Sequence, residues 1–170
     1  TSSPANGGYA VFAARVKGVE LLLGSDRTVY RASDGTRVDD GSGPSGLMAA
    51  GPGGERIYTQ NTGLSPSGGS VYAVDYTAAF GGRFVSDFLG ASQTGSNGQD
   101  VAVSPDGATV YTASGSPYRI QTFRGSDYSP IGELPEFTNY PNNVDAGSDG
   151  RVAGGVDGAY ADYDIWVYSK

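Results

Sequence analysis

The chain of 170 residues has no cysteine and no histidine, and each absence removes chemistry. Without Cys there is no disulfide framework and no thiolate zinc site, and the redox compartment is left open. Without His these residues hold no Ser-His-Asp or Cys-His arrangement, so any catalytic His must come from elsewhere. Neither a GxxxxGK[ST] loop nor a strand-GxGxxG-helix context occurs, and the glycines of Gly51 to Gly54 read as a turn. No apolar run approaches the ~18 residues of a membrane span, so membrane insertion is not expected. Basic residues are few and scattered: 11 Lys and Arg against 18 Asp and Glu give a net charge of −7. Nucleic acid is therefore not an expected partner, because phosphate attraction needs a basic patch. The single Met, with 28 Gly and 9 Pro puncturing the chain, argues against long helices.

What remains points to strands. Hydrophobic residues make up 38% of the chain and fall in short periodic runs, and the 12 Tyr and abundant Val favour β-structure. The best-formed stretch is Asn97 to Ser114, NGQDVAVSPDGATVYTAS. Val101 and Val103 alternate with small or polar neighbours, Ser104-Pro105-Asp106-Gly107 is a turn, and Thr109 to Thr112 form a second strand. Such a hairpin cannot stand alone and must pack on others like it.

Copies of it recur. Gly54 lies 53 residues before Gly107, with Pro52, Ile57, Tyr58 and Thr59 falling on Pro105, Val110, Tyr111 and Thr112. Asp149-Gly150 falls on Asp106-Gly107 and Val144 on Val101, while Gly18 and Leu21 take the places of Gly54 and Ile57. A third strand follows each copy, at Thr28 to Ser33, Ser70 to Tyr76, Arg119 to Arg124 and Asp164 to Ser169, anchored on Val29, Val71, Ile120 and Ile165. A fourth follows three of them, at Thr36 to Asp39, Arg83 to Leu89 and Ser129 to Leu134. Gly41 to Gly46, Ser92 to Gly98 and Tyr140 to Asn143 read as connectors.

Four short antiparallel strands per ~40 to 50 residues predict an all-β β-propeller, with a β-sandwich as the competing fold. VAVSPDGATVYTAS, followed by SVYAVDYT or RIQTFRG, resembles the bacterial propellers of the YVTN and lactonase-like superfamily. The match is specific in the third copy and rests on spacing in the first and fourth. The expected blades span approximately residues 9–41, 44–91, 97–138 and 142–170 of one part-domain, the last without its outer strand.

A blade with an open edge pairs with something. In ring-closed members of that superfamily a strand from the N-terminus commonly completes the last blade, but Thr1 to Gly8 is polar and makes a poor strand. Three arrangements are open. The chain is the C-terminal half of a ring of seven or eight blades completed by a second polypeptide, it forms a head-to-tail homodimer, or it closes four blades by itself. The first accounts best for a chain starting on a first strand and ending on a third. The opening Thr1-Ser2-Ser3-Pro4 suggests a mature secreted product, extracellular or periplasmic, or a trimmed chain.

Candidate sites follow from the resemblance. Propeller ligands sit at the central funnel, which places Asn97, Gln99, Asp100, Asn142, Asn143 and Asp145, with Pro44 and Ser45, on entry loops. Lactonase-like enzymes imply a divalent cation held there by oxygens, which suits Ca²⁺. The residues themselves demand no cofactor, because Asn and Asp side chains also cap turns and bond nearby backbone. Asp157, Asp162 and Asp164, around Tyr160 and Tyr163, form a second acidic cluster, read as a solvated loop. Tyr118, Tyr128 and Tyr140, with Phe137, are candidates for a partner surface, or pack between blades. Trp166 either packs between the third and fourth blades or faces a closing partner. The function expected is a secreted, non-catalytic propeller binding module whose loop face holds a protein or glycan. A lactonase- or lyase-like enzyme completed by residues outside this chain is the alternative, and a structural piece of a surface layer or spore coat is a third.

Overall fold

The computed structural model describes residues 10–62, 67–116, 118–135, 140–156 and 165–169. Within them the chain is built from antiparallel strands, joined by turns and two short 3-10 segments at Pro52–Gly54 and Ala79–Gly81. The first sheet holds β1 (Val11–Val16), β2 (Val19–Gly24) and β3 (Val29–Arg31), with Tyr30 bridging to Arg37 as a vestigial fourth strand. β4 (Leu47–Ala50), β5 (Arg56–Gln60) and β6 (Ser67–Thr77) form the inner three strands of the second blade. The third blade ends with β8 (Thr109–Ser116), β9 (Arg119–Arg124) and β10 (Pro130–Glu133). β11 (Pro141–Ala146), β12 (Val152–Val156) and β13 (Ile165–Tyr168) make a fourth sheet with no outer strand among the described residues.

One strand serves two blades. β7 (Arg83–Val103) begins as the outer strand of the second blade and ends as the inner strand of the third, fusing them into a seven-stranded sheet. The expected connector Ser92 to Gly98 is therefore strand. Ser92 and Gly95 pair with Gly69 and Ser67 on one side, and Ser96 and Gly98 with Ser116 and Ser114 on the other. Small polar residues read as a loop in sequence, but their backbone groups are satisfied by a ladder. Likewise Pro141 already opens β11, so the connector expected at Tyr140 to Asn143 gives way to strand.

The hairpin turns explain the repeat. In the third copy Gly107 N donates to Ser104 O (2.8 Å), and Ser104 N to Thr109 O (2.8 Å). Asp106 Oδ1 accepts from Ser104 Oγ (2.6 Å) and Ala108 N (3.0 Å), and Gly107 supplies a φ of +70°. Gly51 to Gly54 makes the same pair of backbone bonds with a different sequence, whereas the fourth copy keeps the tight bond from Gly150 N to Gly147 O but closes one residue earlier, with Gly147 N donating to Arg151 O (2.8 Å). In the first copy Val16 pairs directly with Val19 across Lys17 and Gly18, both at positive φ. That shorter turn changes the register: Leu21 looks toward the second blade, whereas Ile57 looks back at the first, so the two are not equivalent.

Blades stack face on face through three apolar layers. Ala14, Val16, Leu21, Leu23 and Val29 meet Met48, Ile57, Val74, Tyr76 and Phe84. Tyr58 and Val71 meet Val101, Val110, Phe123 and Tyr128. Ala102, Tyr111, Ala113 and Ile120 meet Val144 and Val152, with Trp166 and Tyr168 half-buried beside them. The repeat anchors Val29, Val71 and Ile120 are 0–1% exposed in these layers, but Ile165, the fourth anchor, is 75% exposed. Among the described residues nothing covers that position.

Candidate functional site

The inner strands of the second, third and fourth blades line a cleft of about 820 Å³ that opens onto the free face of the fourth. Ala49, Asp100, Asn143, Asp145, Gly155 and Ile165 are among its walls. Of the expected funnel residues it therefore brings together Asp100, Asn143 and Asp145, while Asn97, Gln99 and Asn142 do not line it. All six lie on β7 or β11 and not on entry loops. A register slip puts Gln99 opposite no partner between Gly98 and Asp100, and Asn142 likewise between Pro141 and Asn143. These matching bulges re-aim the residue that follows each of them.

Asp100 is a joint between blades. Its Oδ1 accepts from Val101 N (2.9 Å) and its Oδ2 from Val144 N (3.0 Å) on the next blade. Burial raises the carboxyl pKa above its ordinary value, with nearby Asp145 adding to it and the two N–H donors opposing. Asn143 Oδ1 accepts from Gly155 N (2.9 Å), and Asp145 Oδ1 from Ala146 N (2.8 Å). A Ca²⁺ site gathers six to eight oxygen ligands, and of the oxygens here both of Asp100 and Oδ1 of Asn143 already serve backbone N–H groups. The acidic cluster of Asp157, Asp162 and Asp164 with Tyr160 and Tyr163 lies outside the described residues, as does Phe137.

The aromatic candidates separate. Tyr118 is 50% exposed at a φ of +64°, a strained backbone for a bulky residue, and its ring lies 5.7 Å from that of Tyr140. Gln99 Nε2 donates to Tyr140 Oη (3.1 Å) and to Asn97 O (3.2 Å), and Asn97 also has a positive φ. Gly115 makes room for this rim, since a Cβ there would lie 2.4 Å from Tyr140 Oη. Asn97, Gln99, Tyr118 and Tyr140 thus form one cluster at the blade end.

Tyr128 is no partner surface. It is fully buried between the second and third blades, packs on Phe123 at 5.0 Å, and donates from Oη to Thr59 O (2.9 Å). Burial pushes its hydroxyl pKa far up, so it stays a donor. Trp166 packs on the third-blade side, not outward. Sequence reasoning placed Tyr128 in a loop, which is correct, but nothing local says that a turn residue points inward.

It also missed a buried polar layer beside Tyr128. Gln60 Nε2 donates to Ser114 Oγ (3.0 Å), which donates to Thr94 O (2.5 Å). Asp39 was missed too: its carboxylate accepts from Val29 N (2.6 Å) and Gly41 N (2.8 Å) and pairs with Arg37. Burial alone would raise its pKa, but Arg37 and these N–H donors hold it below the ordinary carboxylate value.

The architecture now has counterparts among solved structures. The chain superposes on the Swd1 β-propeller domain of Myceliophteria thermophila with a TM-score of 0.68 at 10% identity, over 87% of this chain and 48% of that one. The fold is a β-propeller. A dihydro-haem d1 dehydrogenase, NirN, in complex with DHE, matches at TM-score 0.58 and 16% identity, over 92% of this chain and 31% of that one. Kuenenia stuttgartiensis hydrazine synthase matches at 0.55 and 12%, over 95% and 55%. The propeller chain therefore spans about half the length of these structures or less. No family pattern matches the sequence, and no curated relative matches it.

Proposed function

We propose that this propeller is a non-catalytic binding module, secreted or periplasmic, whose ring is completed by blades outside the chain described. The YVTN and lactonase-like resemblance of VAVSPDGATVYTAS is the basis for a bacterial origin and for reading the chain as part of a seven- or eight-bladed ring. One observation carries the binding reading over the enzymatic one: Asp100, Asn143 and Asp145, the polar groups of the cleft, have side-chain oxygens committed to backbone N–H groups. Asp100 and Asn143 hold the scaffold together and are poorly placed to do acid–base or metal chemistry, whereas Asp145 bonds only its neighbour's N–H and lies on the exposed face. The surface offered to a partner is the blade-end rim of Asn97, Gln99, Tyr118 and Tyr140. An exposed Tyr face beside side-chain amides suits a protein hot spot or the stacking and hydrogen bonding of a glycan.

The test is thermal unfolding with EDTA, then with added Ca²⁺. An unchanged Tm is expected. A shift of several degrees in both directions would favour the alternative, a lactonase- or lyase-like funnel enzyme. Screening the protein against glycan and protein arrays, with Tyr118→Ala as the control, then tests the rim. Binding that Tyr118→Ala leaves intact would move the partner surface elsewhere.

A further inference from the structure

Among the described residues, the first and fourth blades each present an exposed apolar face with no neighbouring blade, and the two faces match one another. Within the stack, every blade buries an apolar face against its successor. On the fourth blade the corresponding face is Ala153 and Gly155 on β12 with Ile165 and Val167 on β13, and the last two are 75% and 60% exposed. Their counterpart in the third blade is direct: Ile120 pairs with Ala113 as Ile165 pairs with Gly155, yet Ile120 is wholly buried. At the other end, the first blade turns Val11, Ala13 and Leu22 away from the second, with Val11 65% and Leu22 37% exposed. Tyr30 continues that row beside Leu22.

We propose that a second copy of this chain occupies both faces, head to tail, so that the fourth blade of each packs on the first blade of the other. This rests on the reading that the ring is completed by blades outside the chain, and it names the partner. Three observations favour a copy. The first is charge: Ala102, at the repeat position of Asp145, packs with Val144 and Ala146 of the following blade, and the first-blade residues on that face are Ala13 and Arg15. Arg15 is ion-paired there with Glu20 at 2.7 Å, and it is the group of opposite charge that the exposed face offers to Asp145. The second is continuity with the joints already made, since Asn143 stands where Asp100 grips the next inner strand. The third is size: the chain superposes on 48% of the Swd1 propeller domain, so its blades occupy about half a ring. Head-to-tail contacts between two half-rings close by a two-fold axis and leave no free face.

Sedimentation velocity and native mass spectrometry of the full chain test this. The expected species has twice the 17.4 kDa monomer mass. Ile165→Asp and Leu22→Asp each place a charge on an exposed face position, so each should give a monomer with unchanged circular dichroism. Mixing the two variants should restore a weaker dimer, because one of its two junctions is then wild-type on both sides. Arg15→Asp should weaken the dimer, and Asp145→Arg added to it should recover the dimer.

A dimer broken by Ile165→Asp but not by Leu22→Asp would mean fourth blades pack on each other, and would overturn the head-to-tail ring. A stable partner of a different mass from the native source would overturn the copy while keeping ring completion. A monomer up to high micromolar concentration with no partner would overturn both.

Discussion

At the scale of single residues, three positions decide how tightly blades are joined. Asp100 satisfies one N–H of its own strand and one of the next blade. Asp100→Ala leaves two half-buried donors without a protein acceptor, and a loss of about 1–3 kcal/mol is expected in urea unfolding. Gly69 lies under the Tyr128 ring, where an added Cβ would come within 2.3 Å of ring atoms that are completely buried. Gly69→Ala should therefore cost about 1–3 kcal/mol through overpacking, and Tyr128→Phe about 1 kcal/mol through loss of the bond to Thr59 O. If Gly69→Ala proves neutral, the Tyr128 ring is not wedged there. Asp39 sets a pH dependence with a definite sign. Its folded pKa is depressed, so its stabilisation is fully present above the unfolded carboxylate value of about 3.9 and is lost as pH falls through the folded value. Asp39→Asn should flatten the acid limb of a Tm-versus-pH curve and lower Tm near neutrality.

Elements differ in what they owe to local sequence. The Ser104 to Thr109 turn is self-contained: Asp106 and Ser104 bond the local backbone, and Gly107 supplies the left-handed conformation. Gly107→Ala should cost about 1–2 kcal/mol, because an L-residue is strained at that φ and its Cβ would meet Pro52 Cγ at 3.1 Å. Thermal unfolding of that variant checks it. The turn was legible in SPDG for the same reason. β7 was not, because Ser92 to Gly98 have a loop composition and acquire their ladder only from β6 and β8 on either side. The candidate site shared this fate. Asn97 to Asp100 were legible as polar residues at the start of a strand, but Gln99 faces Tyr140 and Asp100 faces Val144 only because a bulge separates them.

For the whole molecule, stability is distributed as in other stacked repeats, blade against blade. Among the described residues the first and fourth sheets each have three strands and one covered face, and only the first adds the Tyr30–Arg37 bridge, so the fourth is the weakest unit of an isolated chain. Amide exchange at β13 should be fast and at β5 and β8 slow, and association through the free faces should slow exchange at β13 and at the outward face of the first blade. Equal protection in all four blades of a monomer would show that the free face carries no penalty.

The sequence alone determined the element type and the repeat, because strand alternation, turn chemistry and spacing are local properties written at each copy. Tertiary structure decided which face each strand presents and which groups meet. Tyr58 and Tyr128 are both tyrosines near turns or strand starts, and only stacking of the second blade on the third buries them. Val29, Val71, Ile120 and Ile165 recur at corresponding positions of the repeat, yet three are core and one is surface. The difference lies in whether a neighbouring blade is present, which no residue encodes by itself.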